Sequence, residues 1–300
     1  MRASSRRAYE AAVARLAEVA TDATAQQLRA IAEDVLSAAG LLGRELRLRR
    51  ALADPARSGA DRAELLRRLL AGKVGGPAQE LLDALVSGRW AAASELLDAT
   101  EQLGVQALLA SAATADVAGE AGVLAEVEDE LFRFGQIVTG HPQLAAALGD
   151  GTVPVARRAT LVDALLGPRP AKGRRGGPKS TAPAKSPAPG ANEITVRLVK
   201  LALSGFGGRT VVAALHRLVE LVARRRDREL AYVTVAAPLE ESEEQRLGAA
   251  LAARYGREVS LKTTVDPRVL GGMRVRVGSD LYDGTVARRL ADARNALAHR

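Results

Sequence analysis

A mainly α fold is predicted, a duplicated N-terminal helical bundle followed by a small α/β C-terminal domain. Three observations predict it. The apolar positions are mostly Ala, Leu and Val and only 3% of residues are aromatic, a mixture that propagates helices at little cost. Apolar residues recur at spacings of three and four over roughly the first 225 residues, then switch to a period of two. The stretch Val35 to Leu70 also lies on Leu131 to Leu166 at one constant offset of 96, without a gap.

Taken in order, Tyr9, Val13, Leu16 and Ala20 share one helical face, and Leu28, Ile31, Val35 and Leu42 mark a second helix. Asp54-Pro55 breaks the pattern, because proline disfavours helix in the residue before it. Ser58 to Asp61 supplies cap chemistry for a helix carrying Leu65, Leu66, Leu69 and Leu70. Gly75-Gly76-Pro77 punctuates again before Leu81, Leu82, Leu85 and Val86, and Leu96, Leu97 and Leu103 mark a further helix. In the repeat, Leu52, Asp54 and Arg62 fall on Leu148, Asp150 and Arg158, a register shared by polar as well as apolar residues. Leu81, Ser87 and Gly88 fall on Leu198, Ser204 and Gly205 at an offset of 117. Beyond about Asp227, Ala231, Val233 and Val235 read as a strand, Leu247, Leu251 and Tyr255 as a helix, and Val259, Leu261 and Thr263 as a strand. Met273, Val275 and Val277 form another strand, a reversal follows at Gly278-Ser279-Asp280, and Val286, Leu290, Ala293 and Leu297 close on a helix. The expected organisation is residues 1–104 for one helical module, 105–228 for the second, and 229–300 for the α/β domain.

The two offsets differ because of an insertion. Residues 167–192 read GPRPAKGRRGGPKSTAPAKSPAPGAN, with six of the chain's 43 basic residues, six of its 12 prolines and no acid. Without those six cations the remainder carries 37 basic against 35 acidic residues, so the folded parts are nearly neutral. Such a composition cannot bury a core and predicts a solvated loop inserted between two helices of the second module. It is read either as a soluble spacer or as a basic tether of a helical nucleic-acid-associated protein, whose binding would be steeply salt-dependent.

Little of the sequence suggests chemistry. The chain has no cysteine, which excludes disulfides, thiolate nucleophiles and cysteine-bound metals. His141, His216 and His299 have no metal-ligand spacing. Ser204 to Thr210 (SGFGGRT) is too short for a phosphate loop, carries arginine where lysine is needed, and reads as an interhelical turn. Acid runs such as Glu240, Glu241, Glu243 and Glu244 open a helix, where carboxylates favour the positive end. No catalytic, cofactor or metal site is expected. No 18-residue apolar run exists and MRASSRRAYE lacks a signal peptide's apolar core, so a soluble chain that stays in the compartment where it is made is expected.

The C-terminal words are specific: VTVAAPL from Val233, LAARYGR from Leu251, VDPRVLGGMRVRVG from Val265, then YDGT from Tyr282. In this order they closely resemble the delta subunit family of F-type ATP synthases, the oligomycin-sensitivity-conferring protein family. The doubled helical module and the 37 arginines against six lysines resemble its long actinobacterial form. Tyr282 and Thr285 stand where an aliphatic residue and a serine are commoner in that family. The resemblance implies a non-catalytic stator that joins the alpha/beta catalytic head to the b-subunit stalk on the cytoplasmic face of the membrane, one copy per complex. It implies that N-terminal helices of the alpha subunits dock between the first and fifth helices. Here that means Tyr9, Val13, Leu16, Leu81 and Leu85 in the first module and Leu198 and Ala202 in the second. The end domain would hold the C-terminal helices of the b subunit. Asp266, Pro267, Gly271, Gly272, Asp283, Gly284 and Thr285 are expected to serve folding, since turns demand those residue types. No nucleic-acid partner is implied.

Overall fold

The computed structural model describes residues 1–117, 122–167, 190–226, 229–256, 259–277, 280–290 and 294. Most of the basic insertion, together with Ala293, Leu297 and His299, lies outside them. The chain divides into two compact units, Met1–Leu218 and Val219–Arg300.

The first unit is helical. Its helices are α1 (Ala3–Asp22), α2 (Ala25–Arg44), α3 (Leu46–Ala53), α4 (Gly59–Leu70), α5 (Gly76–Ser87) and α6 (Ala93–Val117). They continue with α7 (Val123–Gly140), α8 (Pro142–Gly149), α9 (Val155–Leu166), α10 (Glu193–Leu203) and α11 (Val211–Arg225), the last of which crosses the 218/219 divide. The predicted punctuation sets these ends. Ser58 accepts the Asp61 amide at 3.1 Å to cap α4. Thr24 and Gln27 form a reciprocal capping box on α2, and Pro77 occupies the first turn of α5, where its missing N–H costs nothing. The expected module border at 104/105 falls in the middle of α6, one continuous helix of 25 residues.

Arg62 and Arg158 hold equivalent joints. Arg62 is buried at 2% exposure and donates to the carbonyls of Asp54, Ser87 and Gly88 at 2.9–3.1 Å. Arg158 donates to those of Leu148, Val153 and Leu203 at 2.6–3.1 Å. Each guanidinium thereby satisfies carbonyls at two helix ends, which would otherwise be orphaned away from water. A second correspondence links α1 with α6. Ser5 Oγ accepts the Ala91 amide at 3.0 Å, and Glu101 Oε2 accepts the Gly207 amide at 2.7 Å. Either side of the insertion the Ala191 amide donates to Leu166 O at 2.8 Å, so the chain leaves and re-enters at one point.

In the second unit β1 (Glu229–Val235) crosses through α12 (Glu241–Tyr255) to β2 (Val259–Val265), followed by β3 (Met273–Val277) and β4 (Asp280–Asp283). The sheet order is β2-β1-β3-β4, with β1/β2 parallel and the other pairs antiparallel. Val233 pairs with Thr263 on one side and Val275 on the other. One face, Ala231, Val233, Val235, Val275 and Val277, packs with Leu251 of α12, the alternation the sequence predicts.

The joints of the helical unit can be tested by substitution. Arg62→Leu leaves three buried carbonyls without a donor and should cost about 3 kcal/mol in the urea unfolding of the chain, with Arg158→Leu behaving alike. Burial pushes the Glu101 carboxyl up to about 7, with Asp98, Arg49 and Arg209 facing it. Its proton is therefore retained by the folded state after the unfolded chain has lost its own. Wild type minus Glu101→Gln should lose stability as pH rises from about 4.5 to about 7 and stay level above that, measured by denaturation at stepped pH.

Candidate partner-binding surfaces

Helices α1 and α5 are neighbours, as the predicted site requires. Gly88 admits them to close range, because a Cβ there would overlap that of Ala8. Arg15 on α1 reaches Glu80 on α5 at 2.6 Å. The predicted residues then separate into two groups. Tyr9 and Val13 are half-buried on α1, and burial pushes the Tyr9 hydroxyl up to about 12. Leu16, Leu81 and Leu85 point into the bundle, with at most 1% of their surface exposed. Leu198 and Ala202 on α10 are likewise enclosed. Those five are core residues, and a charge placed on them would unfold the bundle before it tested docking.

The open apolar space beside the pair lies farther along. A cavity of about 350 Å³ is framed by Val19 and Ala23 at the end of α1, by Ala30 and Ile31 of α2, and by Pro77 at the start of α5. Asp34 closes one wall by accepting the Gly75 amide at 2.7 Å. A larger cavity of about 780 Å³ lies among α8, α9, α10 and the start of α11, with Ala202 and Gly205 on its wall.

In the second unit the motif residues clasp the entry of β3 to the exit of β4. Asp266 Oδ1 accepts the Arg268 amide at 3.0 Å and Pro267 fixes the turn between them. Gly271 and Gly272 have φ of +85° and +78°, and a Cβ on Gly272 would strike the Gly284 carbonyl. Gly284 N donates to Met273 O at 2.9 Å and Val286 N to Gly271 O at 3.1 Å. Asp283 Oδ1 accepts both Thr285 Oγ1, at 2.7 Å, and the Thr285 amide, which together hold its carboxyl below the usual range. Thr285 Oγ1 in turn accepts the Arg288 amide at 3.3 Å, capping the helical turn over 286–290. Tyr282 has a use for its hydroxyl, which accepts Arg254 Nε and meets the Tyr255 hydroxyl, both at 2.9 Å. Around this clasp Leu270, Leu281 and Leu290 are 59–71% exposed, side chains the sequence did not single out as a surface.

Among the described residues no group of three or more acidic or histidine side chains is placed to hold a metal ion. No described helix is long and apolar enough to cross a membrane. The Asp283–Thr285 cap predicts a pH effect with a definite sign. A carboxyl held low stabilises fully above the ordinary carboxylate range and less as pH falls through it, so wild type minus Thr285→Val should shrink below about pH 4. At neutral pH Thr285→Val should cost about 1 kcal/mol and Gly272→Ala about 2 kcal/mol, read by calorimetry of the whole chain.

Known proteins are similar to this chain over almost its whole length. The family model "ATP synthase delta (OSCP) subunit" matches residues 184–297. ATP synthase subunit delta of Salinispora arenicola is 57% identical over 298 residues, covering 99% of each chain. The same subunit of Salinispora tropica is 56% identical over 298 residues with 99% of each covered, and that of Streptomyces avermitilis 43% over 295 residues with 98% of each. Relatives this similar along almost their full length place the insertion and both helical stretches inside one protein family, and the chain belongs to the ATP synthase delta (OSCP) subunit family.

Proposed function

We propose that the chain works as the delta subunit of an F-type ATP synthase, a non-catalytic connector that ties the catalytic head to the peripheral stalk. The observation that carries this is the 57% identity to an ATP synthase subunit delta over 99% of both chains. A stator resists rotor torque and needs rigidity and affinity without chemistry. Packed helices, buried arginine clamps and apolar surfaces on each of the two units suit that task. Nothing favours the nucleic-acid alternative.

Each surface then has a partner. N-terminal helices of the alpha subunits dock on the α1/α5 side of the first unit, where Tyr9 and Val13 are half-exposed and the cavity at Val19 and Ile31 is open to an apolar side chain. The C-terminal helices of the b subunit dock on the second unit, over Leu270, Leu281 and Leu290, three large apolar side chains left exposed around a clasp that is otherwise satisfied. The chain lies on the cytoplasmic face of the membrane as a peripheral part of the complex. The helical region consists of two copies of one module, supported by the matched joints of Arg62 and Arg158 and of Ser5 and Glu101. Helix α6 serves both copies, as sixth helix of the first and first helix of the second.

Affinity purification of the tagged chain from detergent-solubilised membranes, with co-purifying chains identified by mass spectrometry, tests the reading. Alpha, beta and b chains should be recovered together. Leu281→Glu with Leu290→Glu should lose b while keeping alpha, and Val13→Glu should do the reverse. Removal of 168–189 should leave both intact, because the hydrogen bond between Leu166 and Ala191 already closes the gap. Recovery of nucleic acid with no ATP synthase chains would overturn it.

A further inference from the structure

The two arginine joints differ in what they leave over. Arg62 spends both amino groups on carbonyls, and its remaining nitrogen, Nε, is sealed from solvent. Arg158 instead spends Nε on Val153 and Nη1 on Leu148 and Leu203. Its Nη2 has no acceptor among the described residues and is not sealed. Arg158 is only 7% exposed and stands on the wall of the cavity of about 780 Å³. The unspent amino group is what it offers that space.

Small residues open the space. At the offset of 96, Ala145, Ala146 and Gly149 stand where α3 has Arg49, Arg50 and Ala53. Arg49 is half-buried on α3, with Asp98 and Glu101 of α6 near it. The alanines of α8 leave the equivalent place beside α11 unfilled. Further donors border it. Thr210 caps α11 by accepting the Ala213 amide at 3.4 Å, and its hydroxyl hydrogen is left to donate. The amides of Val211 and Val212, in the first turn of this 15-residue helix, have no intrahelical acceptor. Arg209 lines the cavity too, its Nη1 donating to Gly207 O at 3.1 Å. Among the described lining residues the one carboxylate is Asp150. It is held by its own loop, where Oδ1 accepts the Thr152 amide at 2.9 Å and the Thr152 hydroxyl at 2.6 Å.

Two cations and a helix start thus face one committed acid, a balance that favours an anion. The donors come from α9, from the loop before α11 and from α11 itself. Donors on several sides suit a tetrahedral oxyanion with acceptors all round better than a flat carboxylate. The wall beyond them is apolar, with Ala146, Ala202 and Val211, and encloses more room than the bare ion needs.

We propose that this cavity binds a phosphate monoester with a small apolar body. Arg158 Nη2, Thr210 Oγ1 and the first amides of α11 hold the phosphate, and the alanines of α8 line the body. The site lies within the first unit and does not depend on the docking proposed above.

Titration of the nitrogen-labelled full chain at fixed ionic strength, followed by nuclear magnetic resonance, tests the site with three probes. Phenyl phosphate should move the Val211 and Val212 amide signals and bind roughly 10-fold tighter than inorganic phosphate, because its ring is buried. Benzoate, with the same ring and a flat carboxylate, should bind at least roughly 10-fold more weakly than phenyl phosphate. Thr210→Val removes one donor and should weaken phenyl phosphate roughly 10-fold. Ala146→Trp fills the cavity and should abolish the shifts while circular dichroism shows the helices kept. Ala147→Trp gives the same answer should Ala146→Trp fail to fold. No shift with phenyl phosphate would overturn the proposal. Shifts that survive the tryptophan would also overturn it, since the anion would then sit elsewhere, as on the cations of residues 167–192. Benzoate binding as tightly as phenyl phosphate would overturn the phosphate assignment, and inorganic phosphate doing so would overturn the apolar body.

Discussion

The enclosure of α6 is the constraint on which the rest of the helical unit depends. The middle of this 25-residue helix, residues 103–112, is buried at every position but Gln106 and must find apolar neighbours on nearly every side, and the chain supplies them from both halves. That requirement ties the halves into one body without a hinge between them. It makes small residues necessary where α2 comes close, which is why Gly104 faces Leu36 and why alanines such as Ala32, Ala38 and Ala39 are buried along α2. A stator that must not yield under torque benefits from this, since a bundle closed around a shared helix has no soft joint to bend.

Polar groups complete the frame. Arg62 and Arg158 each bind three backbone carbonyls, Arg62 locking α3 and α4 to the end of α5 and Arg158 locking α8 and α9 to the end of α10. Arginine suits this because its planar fork has five donors and no acceptor. In the second unit the corresponding economy is backbone-driven: two glycines in the left-handed region let β3 start against the carbonyl of Gly284, and a carboxylate and a hydroxyl cap the turn that follows. Neither arrangement resembles an acid–base or nucleophilic site, and each is explained by the fold it closes.

Much of this was legible in the sequence. Proline, glycine and Ser58 mark helix ends, because they act through local backbone geometry. The period-two words locate β1, β2 and β3, although the sheet order, with β1 between β2 and β3, depends on a crossover that periodicity does not encode. The repeat register sets Arg62 against Arg158 but carries no sign that both are buried. The docking surface was harder. Periodicity reports that Leu16, Leu81 and Leu85 lie on an apolar face, and it carries no information on whether that face meets the chain's own core or a partner. For these three the core won, while Val19, Ala23 and Ile31, spread over two helices, came together only in three dimensions. Leu270 and Leu281 escaped for the same reason, since isolated leucines in a turn and at a sheet edge have no period, and the helical period of Leu290 does not say which way that face points.

The claim that the chain couples head to stalk without chemistry of its own is tested most directly by ATP-driven proton pumping in membrane vesicles. Vesicles stripped of head and delta subunit are reconstituted with purified head, with and without this chain. Pumping should appear only when the chain is added, while the head's ATP hydrolysis in solution is unchanged by it. Full pumping in its absence, or ATP hydrolysis by the chain alone, would contradict the account.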